Sequence, residues 1–172
     1  MTKQESSYSL WLRPTQLQID ELTKIISMLA HRYRRAVFPP HITLLSGIKT
    51  NLGTITKVCE QIIEPFPALN IKLDNIAYTD EYFRNLYILA KPEEPLMSLY
   101  EDIKKQLNCN SSNIFMPHVS LLYGNLNIKQ QRLLSKELTN SYPKVFSCER
   151  VDIYNSTGKE SEWYLVDSFD FA

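Results

Sequence analysis

Two decapeptides of this 172-residue chain repeat the same chemistry-bearing residues. Phe38-Pro-Pro-His-Ile-Thr-Leu-Leu-Ser-Gly47 and Phe115-Met-Pro-His-Val-Ser-Leu-Leu-Tyr-Gly124 coincide at Phe, Pro, His, both Leu and Gly, at an offset of 77. Ile pairs with Val and Thr with Ser, so β-branched and hydroxyl characters are kept. Of three histidines in the chain, two, His41 and His118, sit in this shared context. Side chains alternate along a strand, so His41 and Thr43 point one way, as do His118 and Ser120, while Ile42, Leu44, Val119 and Leu121 point the other. Each copy therefore places an imidazole beside a hydroxyl on one face, with an aliphatic pair buried behind it.

Such a pair suits a phosphodiester. Unperturbed imidazoles titrate near pH ~6.5 and can supply one general base and one general acid. The base deprotonates an attacking water, and the acid protonates the departing ribose oxygen on the opposite side of phosphorus. The hydroxyls of Thr43 and Ser120 can donate to the non-bridging oxygens, where charge accumulates. A strained cyclic phosphate needs little more, and the sequence offers no carboxylate cluster to hold a metal. A single His-x-Thr is most simply a packing feature or chance. Histidine is a poor core residue, however, so packing does not explain its return with a hydroxyl partner. His31, in His31-Arg-Tyr-Arg-Arg35, reads as a solvated helix-terminal residue.

The elements that must carry the motif repeat as well. Tyr8-Ser-Leu-Trp-Leu-Arg-Pro14 and Leu86-Tyr-Ile-Leu-Ala-Lys-Pro92 are short apolar runs ended by proline, each followed by a helical pattern: Leu17, Leu22, Ile25, Ile26 and Leu29, then Leu96, Leu99, Ile103 and Leu107. Both halves read strand, helix, Pro-His strand. Further along, Thr54 to Glu64 and Ile128 to Leu138 predict helices. Leu69 to Tyr78, Lys144 to Tyr154 and Glu162 to Phe171 predict strands, the last two joined by the turn Asn155-Ser-Thr-Gly-Lys159. The expected class is α+β, a duplicated bilobal fold: two antiparallel sheets flanked by helices, related by a pseudo-twofold about a central cleft, in one domain over residues 1–172.

Composition narrows the partners. Lys plus Arg number 19, as do Asp plus Glu, and a neutral chain lacks the electrostatic footprint of duplex nucleic-acid binding. No apolar run nears the ~20 residues needed to span a bilayer, and the polar start does not resemble a secretory signal. Three scattered cysteines, Cys59, Cys109 and Cys148, read as free thiols rather than a disulfide or zinc framework. The expectation is a cytoplasmic monomer acting on a small cyclic phosphate, with no cofactor, no metal, no membrane association and no stable nucleic-acid binding.

The paired motifs, the Phe-x-Pro-His approach to each and the opening Tyr8–Pro14 run resemble the two-histidine phosphoesterase superfamily, and within it the cyclic phosphodiesterases of plants and fungi. The resemblance covers nearly the whole chain. It implies hydrolysis of ADP-ribose 1″,2″-cyclic phosphate to ADP-ribose 1″-phosphate, downstream of tRNA splicing, and of nucleoside 2′,3′-cyclic phosphates to nucleoside 2′-phosphates. It makes His41 and His118 the acid/base pair, without saying which is which, and Thr43 and Ser120 phosphate ligands. Tyr123 matches a tyrosine lining the family's phosphate site; its counterpart in the first repeat is Ser46. Trp11 and Phe83 are candidates for stacking on a base or adenine, with a core role equally open for Trp11 and the neighbouring Tyr82 an alternative to Phe83. Two other readings stand beside this one. The first is a phosphodiesterase for 2′–5′ oligonucleotides or RNA ends, which would want a basic track such as Arg32, Arg34 and Arg35. The second is a non-catalytic nucleotide-binding module, which would be expected to have lost part of the motif.

Overall fold

The computed structural model describes residues 6–109 and 114–172. Its elements run β1 (Tyr8–Pro14), α1 (Gln16–Tyr33), β2 (Ile42–Ile48), α2 (Leu52–Ile62), β3 (Leu69–Ala77), β4 (Leu86–Ala90), α3 (Leu96–Gln106), β5 (His118–Leu122), α4 (Ile128–Glu137), β6 (Val145–Asn155) and β7 (Tyr164–Asp170). Single-turn 3₁₀ segments lie at Tyr82–Arg84 and Glu160–Glu162. The class is α+β, as the sequence predicts.

All pairings are antiparallel, in the order β1-β2-β5-β4-β3-β6-β7, and β1 also pairs with β6. Six strands thus close into a ring, with β7 added on β6. The two expected sheets are recognisable within it. β2, β1, β6 and β7 form one and β5, β4 and β3 the other, and they meet at two seams. One is the four-residue ladder of β3 with the start of β6. The other is a single paired position, Ile42 with Val119, joining β2 to β5.

The duplication is visible in the packing. In each half a strand, a helix and a Pro-His strand follow one another, and the Pro-His strand pairs with the strand that opened the unit. The helices are exchanged: α1 from the first unit lies against β5, and α3 from the second lies against β2. Each half therefore covers the other's motif strand. The apolar stripe of α1 buries Leu22, Ile25, Ile26 and Leu29, and α3 buries Leu96, Leu99 and Ile103. Leu17 departs from its expected stripe and is 70% exposed. It sits in the first turn of α1, where the neighbouring Gln18 makes the contact with the sheet by donating to the Val145 carbonyl and accepting from the Ser147 amide of β6. Leu69, Ile71 and Leu73 are buried on one face of β3, and the ladder slips between Leu73 and Ile76, where the sequence periodicity also shifts.

Local chemistry sets the ends. Asn51 caps α2 by accepting from the Thr54 amide at 2.9 Å, and Asn127 with Gln130 forms a capping box on α4. The predicted turn after β6 is present, with Gly158 at φ +79°, a conformation that side chains with a Cβ resist. That turn leads into the segment carrying Trp163. No helix of the described residues is long and apolar enough to cross a membrane.

Candidate active site

β1, β2 and β5 bring the two motifs to the wall of one cavity of about 260 Å³. It is lined by His41, Thr43, His118, Ser120, Tyr123, Trp11 and Phe83, so all seven residues singled out in the sequence meet there. Ser9, Ser46, Glu81, Arg84 and Trp163 complete the lining.

The two imidazoles are held alike. His41 Nδ1 lies 2.7 Å from the Pro39 carbonyl oxygen, and His118 Nδ1 lies 2.9 Å from that of Met116. A carbonyl only accepts, so Nδ1 carries the proton in both rings and Nε2 is left with its lone pair when the ring is neutral. In each case the bond returns to the residue two positions earlier, which fixes the ring relative to its own strand. The register also matches across the repeats: Trp11 pairs with Thr43 and Tyr87 with Ser120, and each aromatic contacts the histidine of its motif. Trp11 lies flat on His41, and Tyr87 meets His118 edge-on, with centroids 5.2 Å apart.

Their electrostatics differ in degree. Burial pulls His41 down to about 3 and Arg13 and His118 add to this, against the opposing bond to Pro39. Burial likewise lowers His118; Met116 and Glu81 oppose that shift and Arg84 adds to it. Both rings are thus neutral at pH 7 in the free protein. The hydroxyl of Ser120 donates to the Phe83 carbonyl at 2.9 Å, tying the second motif to the 3₁₀ turn. Burial raises the Tyr123 phenol, with Glu160 and Tyr82 adding to the shift, so it is a neutral donor. Its ring stacks on Phe38 at 3.7 Å.

Trp11 has both faces occupied, by His41 at 3.6 Å and Tyr154 at 3.7 Å, and is 3% exposed. It walls the site and supports His41 instead of presenting a face for stacking. Phe83, at 44% exposed, is the available ring, and Trp163 lies alongside it at 5.6 Å. Trp163 reaches the cavity through the closure of β1 on β6, which no local pattern announces, and Glu81 and Arg84 arrive with Phe83 on the 3₁₀ turn that Ser120 ties to β5. His31 is exposed in the last turn of α1, as expected. The three cysteines are free, with Cys59 and Cys148 buried. Among the described residues no group of three His, Cys, Asp or Glu converges to hold a metal ion.

Comparison with known proteins agrees with this geometry. The family described as "Cyclic phosphodiesterase-like protein" matches residues 6–170. The Arabidopsis thaliana protein named cyclic phosphodiesterase is 23% identical over 125 residues, covering 73% of this chain and 69% of that protein. The fold is shared with E. coli LigT in its phosphate complex (TM-score 0.65, 12% identity, 99% of each chain) and its 3′-AMP complex (TM-score 0.64, 12% identity, 98% of this chain and 99% of the other). It is shared too with TT0787 of Thermus thermophilus (TM-score 0.66, 14% identity, 96% of this chain and 97% of the other). With a duplicated His-x-Thr/Ser motif on one cavity wall and a family match spanning almost every residue, the chain belongs to the cyclic phosphodiesterase-like family of two-histidine phosphoesterases and is a phosphodiesterase.

Proposed function

We propose that the protein hydrolyses ribose cyclic phosphates, opening ADP-ribose 1″,2″-cyclic phosphate to ADP-ribose 1″-phosphate and nucleoside 2′,3′-cyclic phosphates to nucleoside 2′-phosphates, with His41 and His118 as the proton-transfer pair. The observation that carries this reading is the matched tethering of the two rings. Each Nδ1 is committed to a carbonyl, so each ring has Nε2 as its working atom.

One neutral Nε2 takes a proton from water as it attacks phosphorus. The other ring must carry a proton to give to the leaving ribose oxygen. Both rings are neutral when the site is empty, so the acid acquires its proton with the substrate, whose negative charge stabilises the imidazolium. Thr43, Ser120 and the neutral Tyr123 phenol hold the non-bridging oxygens. Chemistry of this kind needs no metal ion.

Room for the rest of a nucleotide is close by. A second hollow of about 390 Å³ shares Trp11, Tyr123 and Trp163 with the first and is walled by Phe38, Tyr154 and Tyr164. Its aromatic lining suits a base or adenine better than a phosphate chain. Both motifs come from one chain, so the site is complete in a monomer.

A longer substrate, a 2′–5′ oligonucleotide or RNA end, is favoured by one observation: a hollow lined by Arg32, Arg34 and Arg35 shares Val37 with the aromatic one. The purified protein, with and without EDTA, should be given ADP-ribose 1″,2″-cyclic phosphate, a nucleoside 2′,3′-cyclic phosphate and a 2′–5′ dinucleotide, and products followed by phosphorus NMR. Opening of the cyclic compounds to 1″- and 2′-phosphates, unchanged by EDTA, is the expected result. Turnover of the 2′–5′ linkage alone overturns the reading.

A further inference from the structure

The two histidines share a motif but not a setting. One residue beyond the Leu12–Ile42 pair, level with His41, β1 carries Arg13. At the corresponding place beside His118 the second repeat has Leu89, which pairs directly with it. Arg13 is buried, and its Nη1 donates to the Pro40 carbonyl at 2.7 Å. Pro40 is the peptide between the carbonyl that receives His41 Nδ1 and His41 itself. On its other side Arg13 Nε lies 3.2 Å from Asp152 Oδ2 on β6, with its N–H turned off the line, so the contact is an ion pair and not a hydrogen bond. Asp152, 1% exposed, also accepts from Arg150 Nε at 3.0 Å and from Ser168 Oγ at 2.7 Å. The carboxylate is therefore anchored whether or not Arg13 is present.

Resting on the reading of His41 as a proton-transfer group, we propose that Arg13, seated by Asp152, is a positioning residue that fixes the Pro39–His41 segment and hence the direction of His41 Nε2. A guanidinium suits this task because its rigid plane presents Nε to an anion and Nη1 to a carbonyl from separate, fixed positions, whereas an ammonium is a single point charge on a flexible stem. A buried cation with an anchored counter-charge is costly to assemble and would be replaced by an apolar side chain if packing were its only duty, as Leu89 shows in the other repeat.

The charges around His41 set the sign of the test. Arg13 from β1 and His118 across the cavity disfavour its imidazolium; Asp152 on β6 is of opposite sign; Tyr154 stands behind Trp11, and Glu81 and Arg84 on the far wall. Replacing Arg13 by a neutral side chain removes a cation and exposes His41 to the carboxylate, so His41 must titrate at higher pH.

Two variants decide the matter, Arg13→Met and Arg13→Lys. Each is followed by kcat and KM on a nucleoside 2′,3′-cyclic phosphate and by NMR titration of the histidine Cε1–H signals from about pH 8 down to about pH 2, a range that spans the His41 titration near 3. Only three histidines need assignment. Arg13→Met is expected to lose roughly 100-fold in kcat with little change in KM, and its His41 signal to titrate at higher pH while that of His31 stays. Arg13→Lys, which keeps the charge, is expected to leave the titration near wild type and still lose tenfold or more in kcat. Wild-type kcat in Arg13→Lys, or an unmoved His41 signal in folded Arg13→Met, overturns the proposal. Should Arg13→Met not fold, Arg13→Lys decides alone. The titrations need no substrate, so a mistaken substrate class does not hide the answer.

Discussion

Trp11 and His41 lie ring on ring, their centroids 3.6 Å apart and their planes 4° from parallel. The indole excludes water from one whole face of the imidazole while the bond to Pro39 holds its edge, so this ring has a single orientation. Burial is also the largest cause of its lowered basicity. Trp11→Phe keeps an aromatic face but covers less of the ring. Its expected effects are a kcat/KM about tenfold lower and a His41 that titrates at higher pH than in wild type. Kinetics beside an NMR titration test both, and an unchanged rate would mean that the stack serves stability alone.

Removing either proton-transfer group should abolish most turnover without unfolding the chain. His41→Asn and His118→Asn are each expected to lower kcat by roughly 10²–10⁴-fold. The double variant should lose far less than the product of the two, because the pair acts as a unit. A single variant with near wild-type kcat on a cyclic phosphate would remove that histidine from the mechanism.

Acid should destabilise the fold through the same two rings. His41 and His118 stay neutral when folded, whereas in the unfolded chain they bind protons as the pH falls below about 6.5. Between that value and about 3, where His41 itself titrates, the unfolded state holds more protons, so stability declines as pH falls; above pH ~7 these groups contribute no pH dependence. The slope is at most about 1.4 kcal/mol per pH unit for each ring. Urea midpoints at pH 7.5, 6 and 5 should fall in sequence for wild type and fall less steeply for His41→Asn. Parallel slopes in the two proteins would refute the assignment.

Ser120 has one hydroxyl proton, and it is spent on the Phe83 carbonyl. To donate to a phosphate oxygen the hydroxyl must rotate away and give up the Phe83 carbonyl, leaving the turn to its other ties, among them the Gly124 amide donating to the Tyr82 carbonyl at 2.9 Å. Thr43→Val, which removes a donor at nearly constant shape, should lower kcat by about 10²-fold and leave KM little changed. Ser120→Ala should lower kcat similarly and also raise KM for nucleoside substrates, because it removes the tie at the Phe83 carbonyl itself. Equal KM values in the two variants would argue against that link.

Phe83 and Trp163 both line the cavity and lie side by side, their centroids 5.6 Å apart and their planes 28° from parallel. Phe83→Ala is expected to raise KM for a nucleoside 2′,3′-cyclic phosphate by about 10-fold or more, in line with ~1–3 kcal/mol per stacked base, with a smaller effect on ribose cyclic phosphate lacking a base. A uniform effect on both substrates would place the ring in the wall and not against the base.

The repeat made much of this legible in advance. Strand periodicity put His41 with Thr43 and His118 with Ser120 on one face, and both pairs line the same cavity. Helical spacing found the buried stripes of α1 and α3, since those contacts are governed by local periodicity. What stayed hidden depends on partners far away in the chain. The ladder of β1 with β6 closes the ring, and no pattern within either strand announces it. The same ladder brings Asp152 to Arg13 and Tyr154 to Trp11. Trp163 reads as an ordinary aromatic beside a turn until that closure carries it to the site. Arg13 was visible only as the residue before Pro14, because charge and burial cannot both be inferred at one position without its counter-ion.

The seam between β2 and β5 has a mechanical meaning. A single ladder position, Ile42 with Val119, stitches the two halves there, and each imidazole stands one residue before it. The opposite seam is cross-linked over four positions. In ladder bonds this is the thinner seam, and the exchanged helices, α1 over β5 and α3 over β2, carry the rest of the connection between the halves. A phosphate held by both imidazoles would therefore join the two halves at the place where the sheet itself joins them least.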